Sequence, residues 1–379
     1  MIYFDNNATT PLDERVFDAM KPFFITYFGN PSSNHVAGWQ AKLALKNARI
    51  AIAQSINTHH EEEIIFTSGA TESINLALRG FWEQYGEQGQ SIIVSPTEHK
   101  AVLDTVADLQ NKGATIEWLQ VDKNGTVDLI HLEMLLKKGA ELVCVMSANN
   151  ETGVIQPIQS IGALTRDYGA FFLCDITQSI GKYQIDFQNS KIDMACASIH
   201  KCYGPKGVGF LAVNRKKPRV NLSPQITGGG HEFDLRSGTS NVPLVVGMQK
   251  AIEFAYQENM QTSEYIANLK KHLVTQLNAS GFFKETISSE ANQLYNTVHV
   301  QSKVAAKYLI GQLAGKLCFS AGSACSSALP EPSHVLKAMG FTNPEAWQCI
   351  RLSLGKWNTL DEVNQAANLL IDAVKKQIQ

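Results

Sequence analysis

The sequence lacks the features that mark membrane, secreted or nucleic-acid-binding proteins. The first residues, MIYFDNNATTPLDE, contain no basic segment followed by an apolar run, so no signal peptide is predicted. No window approaches the ~18 consecutive apolar residues that a membrane-spanning helix needs. The formal charge is −2, from 33 basic and 35 acidic residues, without a long block of like charge. This balance argues against a nucleic-acid partner and against a polybasic membrane surface.

Cysteine is also scarce, and its spacing fits neither a disulfide framework nor a metal site. The chain has 7 cysteines, an odd number, without CxxC or Cys/His ligand spacing. Most of them lie inside apolar runs, as core cysteines do. We therefore expect reduced thiols, no metal and a cytoplasmic location. Cys325 differs, because residues 320–328 hold only Ser, Ala, Gly and this one thiol. Such a run cannot fill a core.

Short apolar runs alternate with amphipathic stretches, which predicts an α/β fold. Buried strands are indicated by EIIFTS, SIIVSP, ELVCVMSA, FFLCD, MACAS and GVGFLAV. Continuous apolar strands that alternate with helices predict a largely parallel sheet covered on both faces. At 379 residues the chain is long enough for two domains. We predict a large domain over residues 16–250 and a smaller one from residues 1–15 and 251–379.

Polar clusters follow five of these predicted strands, at the point where each strand ends. They are GATES, TEHK, NNETG, DITQS and IHKCYGPKG. Ligands of open parallel sheets bind outside the carboxyl ends of the strands, so we expect one assembled site.

The residue types in these clusters are those of a pyridoxal-phosphate site. Gly69, Ala70 and Thr71 open a predicted helix, where free N–H groups and a hydroxyl can hold a phosphate; an ordinary helix cap is the alternative. Asp175 ends a buried strand, where its carboxylate either meets a protonated pyridine nitrogen or caps the next helix. Lys201 can form an imine with an aldehyde, or is a surface lysine.

The chain as a whole resembles the cysteine desulfurases of the NifS/IscS kind, in the class V aminotransferase group of fold-type I pyridoxal-phosphate enzymes. The resemblance is carried by YFDNNATTP, FGNPSSNH, FTSGATES, TEHKAVLD, NNETGVIQPI, DITQSIGK, SIHKCYGPKGVG, GGGHEFDLRSGTSNVP, SAGSACSS and IRLSLG. It implies a large domain with a mainly parallel seven-stranded sheet sandwiched by helices. It also implies a smaller α/β C-terminal domain that carries a catalytic cysteine loop.

The resemblance further implies roles for single residues. Lys201 would bind the cofactor covalently, Asp175 would pair with its pyridine nitrogen, and His99 would stack on its ring as an acid and base. The remaining cofactor-binding residues would be Ala70, Thr71, Asn150, Gln178, Ser198 and His200, with Thr239 reaching in from the other subunit of a homodimer. Arg351 would grip the substrate α-carboxylate, with Asn30 and Asn150 assisting. Cys325 would be the nucleophile that receives sulfur.

The implied reaction converts L-cysteine to L-alanine and leaves the sulfur on Cys325 as a persulfide. A protein acceptor would then take it for iron–sulfur cluster, thio-cofactor or tRNA synthesis. A selenocysteine lyase or a class V aminotransferase on the same scaffold is the alternative, although an aminotransferase needs no loop thiol. A non-catalytic scaffold would need neither Lys201 nor Cys325. A nucleotide-binding module would need GxGxxG, or GxxxxGK followed by Ser or Thr, and neither follows a strand.

Overall fold

The structure, a computed structural model, describes residues 1–87, 89–322 and 331–379, so the predicted nucleophile Cys325 lies outside the described residues. The strands are β1 (Ile2–Tyr3), β2 (Ile64–Thr67), β3 (Ser91–Val94), β4 (Thr115–Trp118), β5 (Leu142–Cys144), β6 (Phe171–Asp175), β7 (Met194–Ser198), β8 (Gly209–Val213), β9 (Phe283–Glu285), β10 (Thr297–Ser302), β11 (Leu317–Cys318) and β12 (Cys349–Ser353). The helices are α1 (Glu14–Ile25), α2 (Val36–Ser55), α3 (Ala70–Tyr85), α4 (Lys100–Asn111), α5 (Leu129–Leu136), α6 (Ile158–Asp167), α7 (Val242–Ala279), α8 (Ala306–Gln312), α9 (His334–Ala338), α10 (Asn343–Trp347) and α11 (Leu360–Ile378), with a 3-10 turn at Glu61–Glu63.

Within the described residues, seven strands form one sheet in the order β2-β8-β7-β6-β5-β3-β4, here called the large sheet. The pairs β3–β4, β3–β5, β5–β6 and β6–β7 are parallel, whereas β8 runs antiparallel to β2 and β7. The predicted α/β fold with a mainly parallel sheet is confirmed. The edge strand β4 was not predicted, because its residues TIEW are partly exposed and form no apolar run.

Neighbouring residues of these strands enter opposite cores. Phe172 and Phe210 pack in a cluster with residues of α1, α2 and the first half of α7. Leu173 and Leu211 pack in a second cluster with residues of α3 and α4. This alternation is what a sheet covered by helices on both faces requires, and it explains why β7 and β8 are buried at every position.

The C-terminal part of the chain builds a second sheet, here called the small sheet. Its strands β12, β10 and β9 pair antiparallel in that order, and β1 pairs in parallel with β11 beside it. Val298, Ile350 and Leu352 of the small sheet pack with Phe4 and with α11. In the described ranges, no helix combines the length and the apolarity needed to cross a bilayer.

Helix α7 belongs to both parts of the fold. Its 38 residues place Val245 and Ile252 in the core of the large sheet, and Ile266 and Leu273 in the core of the small sheet. The first half of α7 therefore packs in the core of the large sheet, and the second half packs in the core of the small sheet. We propose that the boundary between a domain of residues 16–250 and one of residues 1–15 and 251–379 lies within this helix.

His299 is a buried histidine of the small sheet, and it makes the stability of the protein sensitive to acid. It lies in β10 opposite Arg351 of β12, and its Nδ1 is 2.6 Å from Thr286 Oγ1. Burial, with a smaller effect of the Arg351 charge, lowers the pKa of His299 to about 3. An unfolded histidine has a pKa of ~6.5. The unfolded chain therefore binds this proton more readily, so the stability contributed by neutral His299 is complete above about pH 6.5 and declines as the pH falls toward 3.

We expect the free energy of unfolding to fall by on the order of 2 kcal/mol between about pH 7.5 and pH 5 because of His299. Urea denaturation at the two pH values measures this change. His299→Gln keeps an acceptor for Thr286 and should flatten the pH dependence. The control His272→Gln replaces an exposed histidine of α7 and should retain it. Equal pH slopes in the parent protein and His299→Gln would contradict the assignment.

Candidate active site

A cleft of about 480 Å³ opens where the strands of the large sheet end. Because β3, β5, β6 and β7 run in the same direction, the segments that follow them emerge at one edge. The predicted residues that line the cleft are Ala70, Thr71, His99, Asn150, Asp175, Gln178, Ser198, His200 and Lys201. The structure thus brings residues from all five polar clusters into one space.

One end of this cleft is suited to an anion. Helix α3 begins directly after Gly69, and the first N–H groups of a helix have no partner within it. Ser198 Oγ lies 3.7 Å from the position that a Cβ of Gly69 would occupy, so the end of β7 and the start of α3 adjoin. Burial first, and then the charges of Lys201 and Lys206, lower the pKa of His200 to about 4. His200 is therefore neutral at pH 7, and the positive charge here comes from the lysines.

Asp175 is a nearly buried carboxylate at the end of β6. It is 9 % exposed, and its Oδ1 accepts the N–H of Thr177 at 2.8 Å. The adjacent Thr177 Oγ1 is buried and has no hydrogen-bond partner among the described residues. A carboxylate removed from water in this way is stabilised by a cation in the cleft.

His99 holds a defined tautomer, because it caps α4. Its Nδ1 accepts the N–H of Ala101 at 3.1 Å, which leaves the proton of the neutral ring on Nε2. Burial lowers the pKa of His99; Lys201 and His334 add to this effect, while Asp175 opposes it. His99 therefore enters the site as a neutral imidazole whose Nε2–H can donate.

The segment that carries Lys201 is held by the N-terminal residues. Thr10 donates its N–H and its hydroxyl to the carbonyl of His200, both at 2.9 Å. The Thr10 hydroxyl also accepts the N–H of Tyr203 at 2.7 Å. Lys201 itself is half-buried, and it lines both the cleft and a smaller cavity behind it.

Three predicted residues do not line the cleft of their own chain. Asn30 and Thr239 are exposed. Arg351 is buried beside the cleft, and its guanidinium donates to Asp5 Oδ1 at 2.6 Å, Ser320 Oγ at 3.0 Å and the carbonyl of Asn150 at 2.8 Å. Since Asn150 does line the cleft, Arg351 lies one residue away from it.

Other cleft residues received no role from the sequence. They are Ala8, Thr9, Ser68, Glu72, Met146, Ala148, Thr177, Lys206 and Gly207. The N-terminal segment is the main omission, since Asn7 donates to Thr297 Oγ1 at 2.9 Å and accepts from Gln178 at 2.9 Å. The signal that could have identified this segment as part of the site was the polar run NNATT, which has no helical or strand pattern.

Known proteins are similar to this chain over nearly its whole length. The model of the family described as aminotransferase class-V matches residues 2–366. The chain is 42% identical to cysteine desulfurase IscS of Anaeromyxobacter sp. (strain Fw109-5) over 376 residues, which cover 99% of this chain and 93% of that protein. It is 43% identical to cysteine desulfurase IscS of Rickettsia bellii (strain OSU 85-389), with 99% and 91% covered.

Solved structures give the same result for the fold. A NifS-like protein superposes with a TM-score of 0.92 at 36% identity, with 99% of each chain covered. The structure of SspA in complex with cysteine superposes with a TM-score of 0.82 at 33% identity, covering 95% of this chain and 100% of that one. This chain therefore belongs to the class-V aminotransferase family and, within it, to the cysteine desulfurases of the NifS/IscS type.

Proposed function

We propose that this protein is a pyridoxal-phosphate-dependent cysteine desulfurase that converts L-cysteine to L-alanine. The sulfur passes to Cys325 as a persulfide and then to a protein acceptor, for which an iron–sulfur scaffold is a candidate. The observation that carries the proposal is a single cleft that holds Lys201, Asp175 and His99 at the strand ends, in a chain related over 99% of its length to cysteine desulfurases.

The donor set of the cleft fits pyridoxal phosphate. The phosphate would accept hydrogen bonds from the start of α3 and from Thr71, Ser198 and His200. The Asp175 carboxylate would pair with the protonated pyridine nitrogen, and the Lys201 amine would bind the aldehyde carbon. Bound in this way, the cofactor supplies an electron sink for charge that develops at the substrate Cα.

Proton movement falls to two side chains of this cleft. The Lys201 amine is the base that removes the Cα proton and returns it. His99 donates from Nε2–H, and its Nδ1 is engaged with Ala101, so protonating the ring requires loss of the α4 cap as well as charging a buried group. This arrangement keeps His99 in its neutral, donating form.

Arg351 has unused hydrogen-bonding capacity for a substrate. Its Nε is buried and has no partner among the described residues, although the rest of the guanidinium contacts Asp5, Ser320 and Asn150. Buried polar groups are rarely left unpaired. An α-carboxylate that entered from the Asn150 side would satisfy this donor and bring the substrate Cα toward Lys201. Asn30 would assist from the surface.

Cys325→Ala tests the sulfur-transfer step. The variant should bind pyridoxal phosphate with the absorbance of the parent protein, because Cys325 is not expected to hold the cofactor. With a thiol reductant present to reduce the persulfide, its release of sulfide and alanine from L-cysteine should fall by about 100-fold or more, because the sulfur has lost its nucleophilic acceptor. Cys318→Ala removes another thiol that is not fully buried and should keep turnover. Undiminished turnover in Cys325→Ala would exclude the persulfide route.

Lys201→Ala tests the covalent link to the cofactor. The variant should lose the visible absorbance that the purified parent protein shows with pyridoxal phosphate, because no amine remains to form the imine. Lys206→Ala provides the matched control, since Lys206 also lines the cleft but is exposed. It should retain the absorbance. An unchanged spectrum in Lys201→Ala would assign the covalent link to another lysine.

We further infer that the active form is a homodimer. Large exposed apolar side chains concentrate in one stretch of the chain, residues 17–43, where Phe28 is 74% exposed and Trp39 is 57% exposed. The same stretch exposes Phe17, Phe24, Ile25, Tyr27, Val36 and Leu43. A concentration of exposed apolar side chains is usually covered by a partner. A second copy would cover it and could bring its exposed Thr239 to the phosphate end of the cleft.

Trp39→Glu should convert the dimer to a monomer in sedimentation velocity, because a buried interface does not tolerate an unpaired charge. The monomer should also bind pyridoxal phosphate more weakly, because Thr239 of the second copy is lost. The control Ile130→Glu places the same charge at an exposed apolar residue of α5, 75% exposed, and should remain dimeric. A fully active monomeric parent protein would refute the role of Thr239.

A further inference from the structure

Lys182 is a buried lysine that the proposed mechanism does not use. It is 9 % exposed and lines a cavity of about 30 Å³ behind the cleft, together with Lys201 and Cys202. Burial lowers the pKa of Lys182 to about 7; Lys201 adds to this effect, whereas Cys202 opposes it. Within the described residues, no carboxylate contributes to this shift. An apolar side chain of similar length would avoid the cost of burying an amine, so the amine requires an explanation.

The amine of Lys182 has a defined partner. Its Nζ donates to Oε1 of Gln178 at 3.0 Å, and Nε2 of Gln178 donates to the carbonyl of Asn7 at 2.9 Å. The carbonyl of Asn7 can only accept, and the Lys182 amine donates to Oε1 in its neutral and its charged form. These two contacts therefore determine which end of the Gln178 amide is the oxygen. A reversed amide would set donor against donor at Lys182 and acceptor against acceptor at Asn7.

The orientation of this amide decides what Gln178 offers to the cleft. Gln178 is 3% exposed and lines the cleft beside Asp175 and Lys201. An amide nitrogen carries two hydrogens, and Asn7 takes one of them. Because Gln178 lines the cleft, we infer that the second hydrogen of Nε2 is directed to the cleft, where a reversed amide would present oxygen. The phenolic oxygen of pyridoxal phosphate, when ionised, requires a donor.

We propose that Lys182 is a positioning residue that keeps Gln178 as a hydrogen-bond donor to the phenolic oxygen of bound pyridoxal phosphate. This inference rests on the proposed function. Lys182 lines the cavity behind the cleft and not the cleft itself, so it acts on the cofactor through Gln178. A donor at the phenolic oxygen withdraws electron density and lowers the proton affinity of the cofactor chromophore.

The test is a pH titration of the cofactor absorbance in the holoenzyme. Lys182→Met, which removes the donor and is one atom shorter, should raise the midpoint by about 0.5 to 1 pH unit, the size expected for one hydrogen bond. The dissociation constant for pyridoxal phosphate, measured by titrating the apoenzyme, should rise by about 3- to 10-fold. Lys182→Gln retains a neutral donor and should bring the midpoint back toward that of the parent protein.

The chain contains a matched control far along the sequence. Lys270 is a partly buried lysine whose pKa burial lowers to about 8, and it donates to Oε1 of Gln293 and to the carbonyl of Leu294. Neither Lys270 nor Gln293 lines the cleft. Lys270→Met therefore removes a partly buried lysine–glutamine contact away from the cleft and should leave the midpoint unchanged.

The outcomes separate this inference from the proposed function. If the midpoint shifts in Lys182→Met and Lys182→Gln does not restore it, the charge of Lys182 determines the midpoint and the orientation of the Gln178 amide does not. That result would overturn the inference. Equal midpoints in the parent protein, Lys182→Met and Lys182→Gln would also overturn it and leave the desulfurase proposal intact. If Lys182→Met does not fold, Lys182→Gln alone tests the inference. A midpoint in Lys182→Gln that rises by the full amount expected for loss of the donor would overturn the inference. A parent protein without cofactor absorbance would refute the proposed function and this inference together.

Discussion

The parallel pairing of β3, β5, β6 and β7 is the constraint on which the cleft depends. Strands that run in one direction deliver the segments after them to the same edge, whatever their separation in sequence. Register matters as well, because a shift by one residue turns every side chain of a strand to the opposite face. Asp175 pairs with Cys196 of β7, which leaves the carboxylate at the end of β6 and the thiol inside the sheet. Cys196 lies two residues before the end of β7, so this pairing places Asp175 near the segment after β7 that carries Lys201.

The N-terminal segment joins this edge to the small sheet. Asp5 forms an ion pair with Arg351 of β12, and Asn6 donates to the carbonyl of Ser353 at 2.9 Å. A few residues later, Thr10 holds the carbonyl of His200, next to Lys201. One short segment without helix therefore contacts both the proposed substrate-binding arginine and the proposed cofactor-binding lysine. Residues from the first and the last part of the chain therefore contact each other beside the cleft.

The sequence was informative where one chemical requirement dominates a segment. Apolar runs of four or five residues flanked by helices identified the strands, and polar residues at their ends identified the cleft. It was not informative for β4, which is an edge strand and has no buried run. Nor could it show that Arg351 pairs with Asp5, because the partners are far apart in sequence and no periodicity connects them.

The contact between Gln178 and Lys182 is another feature that could not be predicted from the sequence. The motif DITQSIGK contains both Gln178 and Lys182, yet the pattern does not reveal that the lysine is buried. Burial depends on Ala251, Ala255 and other residues of α7 that close the cavity from far along the chain. Local patterns report the element in which a residue lies, whereas the partner of a buried polar group follows from tertiary packing.

Helix α7 restricts how this protein can be divided. Its 38 residues extend about 57 Å at 1.5 Å per residue, and its two ends are buried in different cores. A cut near residue 250 would sever a continuous helix and strip apolar side chains from both halves, so fragments made there would not be independent folding units. Fusion proteins, split reporters and circular permutants of this chain should therefore keep residues 242–279 intact. Such designs can instead use exposed turns outside α7, such as those at Gly139 or Gly169.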